Sequence, residues 1–327
     1  MSTPERSPAV VPVLYVGGYT RSGTTLVGLM LDKLPGVASA GELRYLWRQG
    51  PLNNRLCSCG APFRECPFWS EVGRRAYGGW DRVPLDELVD FEQRYLRVRF
   101  IPWFTLSRRP RGFARVHASY ADHLARLYRA IRDVSGCSVV VDSSKDPTYG
   151  FALRTVPGIE LRLVHLVRDS RGVAYSWTKT VERPEVVGER AFFDRFSPLE
   201  TGYRWSLWNA AFDVLKAFGV PSERVRYESV PQSPDAVVRG IAALASANGA
   251  ADDVPELFGG GEFVPASGHM IGGNPIRFSR GAMRIRLDDE WRNRMAARER
   301  WAVTAVSWPL LLRHGYLSKQ AAGEGER

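Results

Sequence analysis

The chain alternates short apolar runs with longer segments in which apolar residues recur every three or four positions. The first run spans residues 10–16, is interrupted only by Pro12, and predicts a buried strand. Gly17 and Gly18 follow it and predict a turn. The apolar residues after this turn have helical spacing: Leu26, Leu29, Met30 and Leu34. The unit is therefore a strand, a glycine-bearing loop and a helix.

Four more segments have the composition of short strands, and helical patterns lie between most of them. They are residues 36–42, 137–142, 159–167 and 224–228. β-branched runs such as the one at 139–141 are typical of strands that are buried on both faces of a parallel sheet. The alternation of strands and helices predicts an α/β fold, a P-loop-like, doubly wound parallel sheet of about five strands.

Residues 44–135 lack the strand-to-helix alternation of their flanks and carry many aromatic residues and two helical patterns. We predict a single domain over residues 1–327. Residues 10–43 and 136–290 form its α/β core, 44–135 a helical insertion or cap, and 291–327 a C-terminal helix and tail. The aromatic residues of the insertion suit either a pocket for an apolar ligand or internal packing.

The composition of the 327 residues is that of an ordinary globular protein, with 44% hydrophobic and 24% charged residues. A net charge of +10 favours anionic partners. The basic residues are scattered and form no arm or known motif, which argues against nucleic acid as a partner. No signal-peptide core and no run of roughly 18 apolar residues is present. We therefore expect a cytoplasmic protein without a transmembrane segment.

Three of the four cysteines, Cys57, Cys59 and Cys66, lie close together in the predicted insertion, and Cys137 lies far from them. A Cys-x-Cys pair with a third thiolate can hold zinc, but the neighbouring sequence offers no fourth Cys or His ligand. A disulfide would be unusual in a reducing cytosol. The pattern favours a structural cluster, as thiols or as a disulfide, over a metal site.

The loop after the first strand carries a set of hydrogen-bond donors: Arg21, Ser22, Gly23, Thr24 and Thr25. Backbone N–H groups of such a loop, with the positive end of the following helix dipole, bind anions. The spacing from Gly18 to Gly23 nearly matches a nucleotide P-loop. However, Thr24 occupies the position of the lysine that contacts the phosphates of a nucleoside triphosphate. The loop therefore favours a ligand with a shorter anionic group.

Charged and hydroxyl side chains also stand where other predicted strands end. Glu42 follows the second strand, Lys145 the third and Arg168 the fourth. Ser176 lies about two helical turns after Arg168, and an arginine fork with a serine hydroxyl suits a phosphate monoester. Because the carboxyl ends of parallel strands share one edge, we expect these residues to lie near the glycine loop.

These motifs resemble those of sulfotransferases that use 3′-phosphoadenosine 5′-phosphosulfate (PAPS). The loop at residues 21–25 is similar to their 5′-phosphosulfate loop, and Arg168 with Ser176 is similar to their 3′-phosphate motif at the matching spacing. Ala40-Gly-Glu at 40–42 and Lys-Asp-Pro at 145–147 resemble motifs of the tyrosylprotein sulfotransferase branch. The cysteine cluster and a later Gly-Asn-Pro-x-Arg-Phe loop are similar to those of bacterial members.

The resemblance covers residues 10–46 and 136–290, and it implies an enzyme that moves a sulfuryl group from PAPS to a hydroxyl acceptor by in-line transfer. PAPS would be a cosubstrate, adenosine 3′,5′-bisphosphate the product, and no metal would be required. The acceptor would be a small molecule, a glycan or a lipid-linked metabolite.

The resemblance also implies where the donor binds. Residues 21–25 would hold the 5′-phosphosulfate, and Arg168 and Ser176 would hold the 3′-phosphate. Tyr227 would frame that end of the nucleotide, and Arg277, from the Gly-Asn-Pro loop, is the best match for a further contact.

For catalysis, the resemblance implies that Glu42 is the base that deprotonates the acceptor. Lys145 and Arg21 would stabilise charge on the transferring group. His269 is a rival base, because imidazole side chains as a class suit proton transfer at neutral pH.

Two functions of other classes remain open at this point. One is a nucleotide kinase or ATPase with a degenerate P-loop. The other is a non-catalytic, basic nucleotide- or nucleic-acid-binding protein.

Overall fold

The computed structural model describes residues 10–106, 109–186, 188, 190–245 and 255–317. Its central sheet has five parallel strands in the order β2-β3-β1-β4-β5. The strands are β1 (Val11–Gly17), β2 (Val37–Gly41), β3 (Val139–Lys145), β4 (Ile159–Val167) and β5 (Ser222–Arg226). The sheet confirms the predicted α/β fold class.

Helices connect the strands and cover both faces of the sheet. They are α1 (Thr24–Leu31), α2 (Pro67–Tyr77), α3 (Leu85–Tyr95), α4 (Ile101–Thr105), α5 (Arg111–Ser135), α6 (Pro147–Leu153), α7 (Ser170–Thr178), α8 (Pro198–Ala217), α9 (Ser229–Gln232), α10 (Pro234–Ala245), α11 (Trp291–Arg294) and α12 (Ala297–Arg313). A short antiparallel pair, β6 (Glu262–Phe263) and β7 (Met283–Arg284), lies apart from the main sheet. Within the described ranges, no helix combines the length and the apolarity needed to cross a bilayer.

Successive residues of β1 point to opposite faces of the sheet, and each face has its own core. Val13 and Tyr15 pack with buried residues of α5, α6 and α8, whereas Leu14 and Val16 pack with those of α1 and α10. None of these four side chains is more than 1% exposed. Since both faces are covered, β1 can be apolar at nearly every position, as its sequence is.

The segment predicted as an insertion contributes a layer of the core and not only a cap. Its longest helix, α5, lies against the sheet, and Leu127 and Tyr128 belong to the same buried cluster as Val13. Many aromatic residues of this segment are packed inside, and Trp47 and Trp69 are fully buried. Packing therefore accounts for much of the aromatic content. The domain boundaries drawn from the sequence stay a prediction.

The chain leaves the neighbouring strands β1 and β3 in opposite directions. Helix α1, which follows β1, packs on one face of the sheet, whereas α6, which follows β3, packs on the other. This divergence leaves a crevice beyond the carboxyl ends of the two strands. Doubly wound sheets bind their ligands at such crevices.

Candidate active site

A cavity of ≈ 720 Å³ occupies this crevice and reaches the carboxyl ends of all five strands. Thr24 lines it beyond β1, Glu42 beyond β2 and Lys145 at the end of β3. Arg168 lines it beyond β4, and Tyr227 lines it beyond β5. The parallel arrangement explains this convergence, because it brings five strand ends to one edge.

Most residues that the sequence predicts for a ligand site line this cavity: Arg21, Gly23, Thr24, Thr25, Glu42, Lys145, Arg168, Ser176 and Tyr227. Ser22 is fully buried and is not among the lining residues. Arg277 is not among them either. Its Nη1 donates to the Gly273 carbonyl oxygen at 2.9 Å, and its Nη2 lies 3.9 Å from Glu185 Oε2. Arg277 thus supports the loop that carries Gly273, and its role in binding stays a prediction.

The glycine loop has a backbone that excludes a side chain at position 23. Gly23 has a left-handed φ of +89°, and a Cβ there would lie 2.6 Å from Tyr227 Cδ2. Arg21 also has a left-handed φ, of 68°, which costs a non-glycine residue about 1–2 kcal/mol. Helix α1 begins at Thr24 without a side-chain cap, so N–H groups of its first turn are left for a ligand.

Several buried donors of the loop have no acceptor within the described part of the protein: Arg21 Nη2, Ser22 Oγ and Thr24 Oγ1. The Arg21 guanidinium lies near two rings, with its Cζ 5.0 Å from the centroid of Trp177 and 5.1 Å from that of Phe193. Burial lowers the pKa of Arg21. Buried donors without acceptors are destabilising, and a bound anion would satisfy these.

Glu42 and Lys145 form an ion pair in the wall of the cavity, in which Lys145 Nζ donates to Glu42 Oε1. Their side chains are only 9% and 12% exposed, respectively. The backbone fixes both residues. Lys145 has a left-handed φ of 69°, and the Glu42 N–H donates to the Ile271 carbonyl oxygen at 2.7 Å. The two residues predicted for catalysis from separate strands are therefore in contact.

A buried network fixes the end of β3 just before Lys145. Asp142 accepts hydrogen bonds from the Tyr128 hydroxyl and from the backbone N–H and hydroxyl of Ser144. The Ser144 oxygen accepts in turn from the Arg44 N–H at 2.9 Å. Burial raises the pKa of Asp142 to about 7. Sequence reasoning missed this network, although a carboxylate directly after an apolar strand was a usable signal.

Arg44 also holds two buried carboxylates. Its Nη1 lies 2.8 Å from Glu92 Oε2, and its Nε lies 3.5 Å from Asp146 Oδ2. Asp146 caps α6 by accepting from the Thr148 N–H at 2.8 Å. Because a broken buried pair leaves an uncompensated charge, these contacts lock the junction of β3 and α6 to α3.

Arg168 is held by several groups at once. Its Nη1 donates to the Arg21 carbonyl oxygen at 3.0 Å, and its Nη2 donates to the Asp288 carbonyl oxygen at 2.8 Å. The Asp288 carboxylate lies 3.1 Å from the same Nη2, and the guanidinium Cζ lies 4.5 Å from the centroid of the Tyr227 ring. Ser176, in helix α7 directly after Arg168, lines the same cavity. An anion that binds Arg168 would therefore compete with Asp288.

The cavity has more charged lining residues than the sequence predicted. In addition to the predicted cations, Arg48, Arg55 and Arg183 line it, so that six basic residues face four acidic ones. Among the unpredicted acidic residues are Glu185 and Asp194. Arg48 begins a short π-helix, and Arg55, Arg183, Glu185 and Asp194 lie in irregular segments, so no strand or helix pattern in the sequence pointed to them. The excess of basic groups suits an anionic ligand.

His269, the rival base, is not among the residues that line this cavity. Its Nδ1 lies 3.2 Å from Cys66 Sγ and 3.8 Å from Cys57 Sγ, and its ring stacks on Phe68 with centroids 4.9 Å apart. The imidazole thus belongs to the cysteine cluster. Of the two candidate bases, Glu42 lines the cavity and His269 does not.

No protein-family model and no curated protein matches the sequence. Among solved structures, the sulfotransferase domain of the Synechococcus PCC 7002 olefin synthase is similar, with 17% identity, a TM-score of 0.44, and coverage of 94% of this chain and 97% of that one. The sulfotransferase domain of the curacin biosynthetic pathway has 16% identity, a TM-score of 0.45 and coverage of 92% and 98%. A sulfotransferase from Mycobacterium avium has 14% identity, a TM-score of 0.43 and coverage of 94% and 77%.

The left-handed glycine of the loop yields a first prediction. Gly23→Ala should lower the free energy of unfolding by about 1–3 kcal/mol, because alanine is strained at this φ and its Cβ meets the Tyr227 ring. Urea denaturation measures the change. The matched control is Gly240→Ala in α10, where nothing lies within 4 Å of the added Cβ. It should be neutral or stabilising. Equal effects at both positions would contradict the assigned loop strain.

Proposed function

We propose that this protein is a sulfotransferase that moves a sulfuryl group from PAPS to a hydroxyl acceptor. The observation that carries the proposal is the cavity itself. It joins a glycine loop that has unsatisfied buried donors, Arg21 and Thr24, to a second pair of candidate anion ligands, Arg168 and Ser176. A nucleotide with separate anionic groups at its 5′ and 3′ positions matches such a pair of sites. The resemblance of the sequence motifs supports the same donor.

The donor's 5′-phosphosulfate would lie on the glycine loop. The N–H groups at the start of α1, the Thr24 hydroxyl and the Arg21 guanidinium would satisfy its oxygens. The 3′-phosphate would bind Arg168 and Ser176 beside the Tyr227 ring. Thr24 in place of a P-loop lysine disfavours ATP, because no side chain there supplies the cation for a γ-phosphate.

The transfer forms a bond between the acceptor oxygen and sulfur and breaks the bond between sulfur and the bridging phosphate oxygen. Adenosine 3′,5′-bisphosphate leaves, and the acceptor proton passes to a Glu42 oxygen. Lys145 and Arg21 stabilise the charge on the sulfuryl and bridging oxygens. As in phosphoryl transfer, positioning and electrostatic stabilisation supply most of the rate enhancement. The sulfuryl group carries less charge than a phosphoryl group, so these cations suffice for it.

In the donor-free state of the site, Glu42 and Lys145 are paired with each other. In it, each side chain neutralises the other within a poorly hydrated wall. The sulfate of the donor offers Lys145 a second anionic partner. As Lys145 turns toward that partner, the Glu42 carboxylate is released from the ion pair and can accept the acceptor proton. Donor binding and activation of the acceptor are thus coupled through one lysine.

We further propose that the acceptor is polar and carries an anionic group. The wall formed by the start of the insertion is rich in basic and amide groups, Arg48, Gln49, Asn53 and Arg55, and also carries the phenol of Tyr45. Gln49 and Glu42 flank Gly272, since a Cβ there would lie 3.0 Å from both Gln49 Oε1 and Glu42 Cβ. The acceptor hydroxyl therefore reaches Glu42 along a polar surface, which suits an acidic sugar better than a neutral phenol.

Ligand binding tests the donor assignment directly. Adenosine 3′,5′-bisphosphate should raise the melting temperature in a concentration-dependent way, because a ligand that binds the native state stabilises it. Adenosine 5′-monophosphate should shift it much less, since it leaves Arg168 and Ser176 without a phosphate. Equal shifts for both ligands would reject the 3′ site, and a larger shift with ATP would favour the kinase alternative.

Transfer of labelled sulfate from PAPS tests the acceptor. Sugars that bear a carboxylate or sulfate should be modified faster than neutral sugars and phenols of similar size. Arg55→Gln should raise KM for the acidic sugars about tenfold and leave KM for neutral ones unchanged, as expected for the loss of one charged contact. If phenols are the better acceptors and Arg55→Gln has no effect, the polar acceptor is wrong while the donor assignment stands.

The base is tested with Glu42→Gln. Turnover should fall by about 10²–10⁴-fold, the usual contribution of a positioned base. Affinity for adenosine 3′,5′-bisphosphate should not fall, because the neutral amide leaves Lys145 free for the ligand.

The matched control for Glu42→Gln is Asp194→Asn, which neutralises another carboxylate of the same cavity. It should change turnover less than about tenfold, since no acceptor proton is assigned to it. Near wild-type turnover in Glu42→Gln, or an equal loss in both variants, would refute the assignment.

A further inference from the structure

We propose that Cys57, Cys59, Cys66 and His269 bind one zinc ion, at a site separate from the transfer cavity. The three sulfur atoms and a ring nitrogen of His269 lie within 4.8 Å of one another. His269 supplies the fourth ligand that the neighbouring sequence lacks, from a position 203 residues after Cys66. This proposal departs from the preference for thiols or a disulfide that the sequence pattern favours.

The distances within the cluster match the edges of a zinc tetrahedron. Zn–S bonds of about 2.3 Å and Zn–N bonds of about 2.0–2.1 Å place two sulfurs about 3.8 Å apart, and a sulfur and a nitrogen about 3.5 Å apart. Cys59 Sγ and Cys66 Sγ are 3.7 Å apart. His269 Nδ1 lies 3.2 Å from Cys66 Sγ and 3.8 Å from Cys57 Sγ. These three separations are close to the edges of such a tetrahedron, and all four ligand atoms lie within 4.8 Å of one another.

The choice of zinc follows from the ligands. Three thiolates and one imidazole form a soft, tetrahedral set, which is a common composition of structural zinc sites. All four coordination positions come from the protein, so no position is left for a substrate. Such a site stabilises structure and does not catalyse the transfer.

The surrounding chain holds the ligands in place. A tight turn carries the first two cysteines, with the Cys57 N–H donating to the Ala61 carbonyl oxygen at 2.9 Å. Cys66 directly precedes α2, and Trp69 of that helix donates from Nε1 to the His269 carbonyl oxygen at 2.9 Å. The Phe68 ring stacks on the imidazole. His269 is therefore fixed by helix α2 as well as by the sulfurs.

A carboxylate also lies beside the histidine. Asp32 and His269 line a second cavity of ≈ 290 Å³, and Asp32 Oδ2 lies 2.6 Å from the position that a Cβ on Gly268 would occupy. Zinc-bound histidines usually donate their other ring N–H to a carboxylate or carbonyl. A disulfide between two of the cysteines would use neither the third thiol nor this imidazole, so it explains the cluster less well.

The site would tie the insertion to the segment that completes the transfer cavity. The Ser58 N–H donates to the Met270 carbonyl oxygen at 2.9 Å, and the Ile271 carbonyl oxygen accepts from the Glu42 N–H. Three residues after Ile271, the Asn274 N–H donates to Thr25 Oγ1 at 3.1 Å. Zinc therefore acts as a positioning element for Glu42 and the glycine loop, through residues 268–274.

Metal analysis of the full chain, produced with zinc in the medium, tests the proposal. About one zinc per chain should survive dialysis, and removal with a chelator should lower the melting temperature by about 5 °C or more. Cobalt added to the metal-free protein should give the visible bands of a tetrahedral ion and a thiolate-to-metal charge-transfer band. Less than about 0.1 metal per chain without these bands, a stoichiometric metal other than zinc, or a disulfide among the three cysteines would overturn it.

Variants assign the ligands. Cys59→Ser and His269→Ala should each weaken zinc binding by more than the roughly 10–100-fold that loss of an outer partner costs. They should also change the cobalt spectrum. The matched control is Cys137→Ser, which removes a buried cysteine outside the cluster and should leave metal content and spectrum unchanged. Unaltered cobalt spectra in both ligand variants would refute the ligand set. Bisphosphate binding is measured separately, so failure of the zinc site leaves the donor assignment intact.

Discussion

The ion pair of Glu42 and Lys145 is the interaction on which the rest of the site depends. Two opposite charges stand at the ends of neighbouring strands, nearly removed from water, where either one alone would be costly. The fold accommodates the pair by controlling both backbones. β3 ends in a left-handed lysine above the buried Asp142 network, and β2 is followed by a glutamate bonded to Ile271. A parallel sheet provides this geometry, because its strand ends lie side by side.

The donors around this pair are organised before any ligand arrives. Aromatic rings hold Arg21, and backbone carbonyls and Asp288 hold Arg168. Rigid donors lose little freedom when an anion binds, so more of their interaction energy appears as affinity and orientation. The contacts of Asp288 limit the affinity of Arg168 for other anions, because any such anion must compete with the Asp288 carboxylate. The cavity thus combines preorganised donors at the glycine loop with an arginine, Arg168, that already has an internal anionic partner.

The sequence predicts the fold class and nine cavity residues because those predictions rest on local rules. Apolar runs mark strands, and polar residues just beyond them, such as Lys145 and Arg168, fall at one edge of a parallel sheet. Contacts between segments that are distant in the sequence could not be predicted from these local rules. Glu92 meets Arg44 only through packing of α3, and Arg183 reaches the cavity from an irregular segment. The sequence identifies His269 as a candidate base, but its partners are set by tertiary structure alone.

The separation of the metal ligands along the chain has a consequence for biosynthesis. Cys57 and His269 are 212 residues apart, so at about 5–20 residues per second the three thiols are made roughly 10–40 s before their imidazole partner. During that interval a Cys-x-Cys pair and a third cysteine are exposed without the ligand that closes their shell. The thiols of the nascent chain can then be oxidised, or a metal bound to them can take its fourth ligand from another molecule. Correct assembly of this domain therefore depends on how the cell protects thiols while translation is still under way.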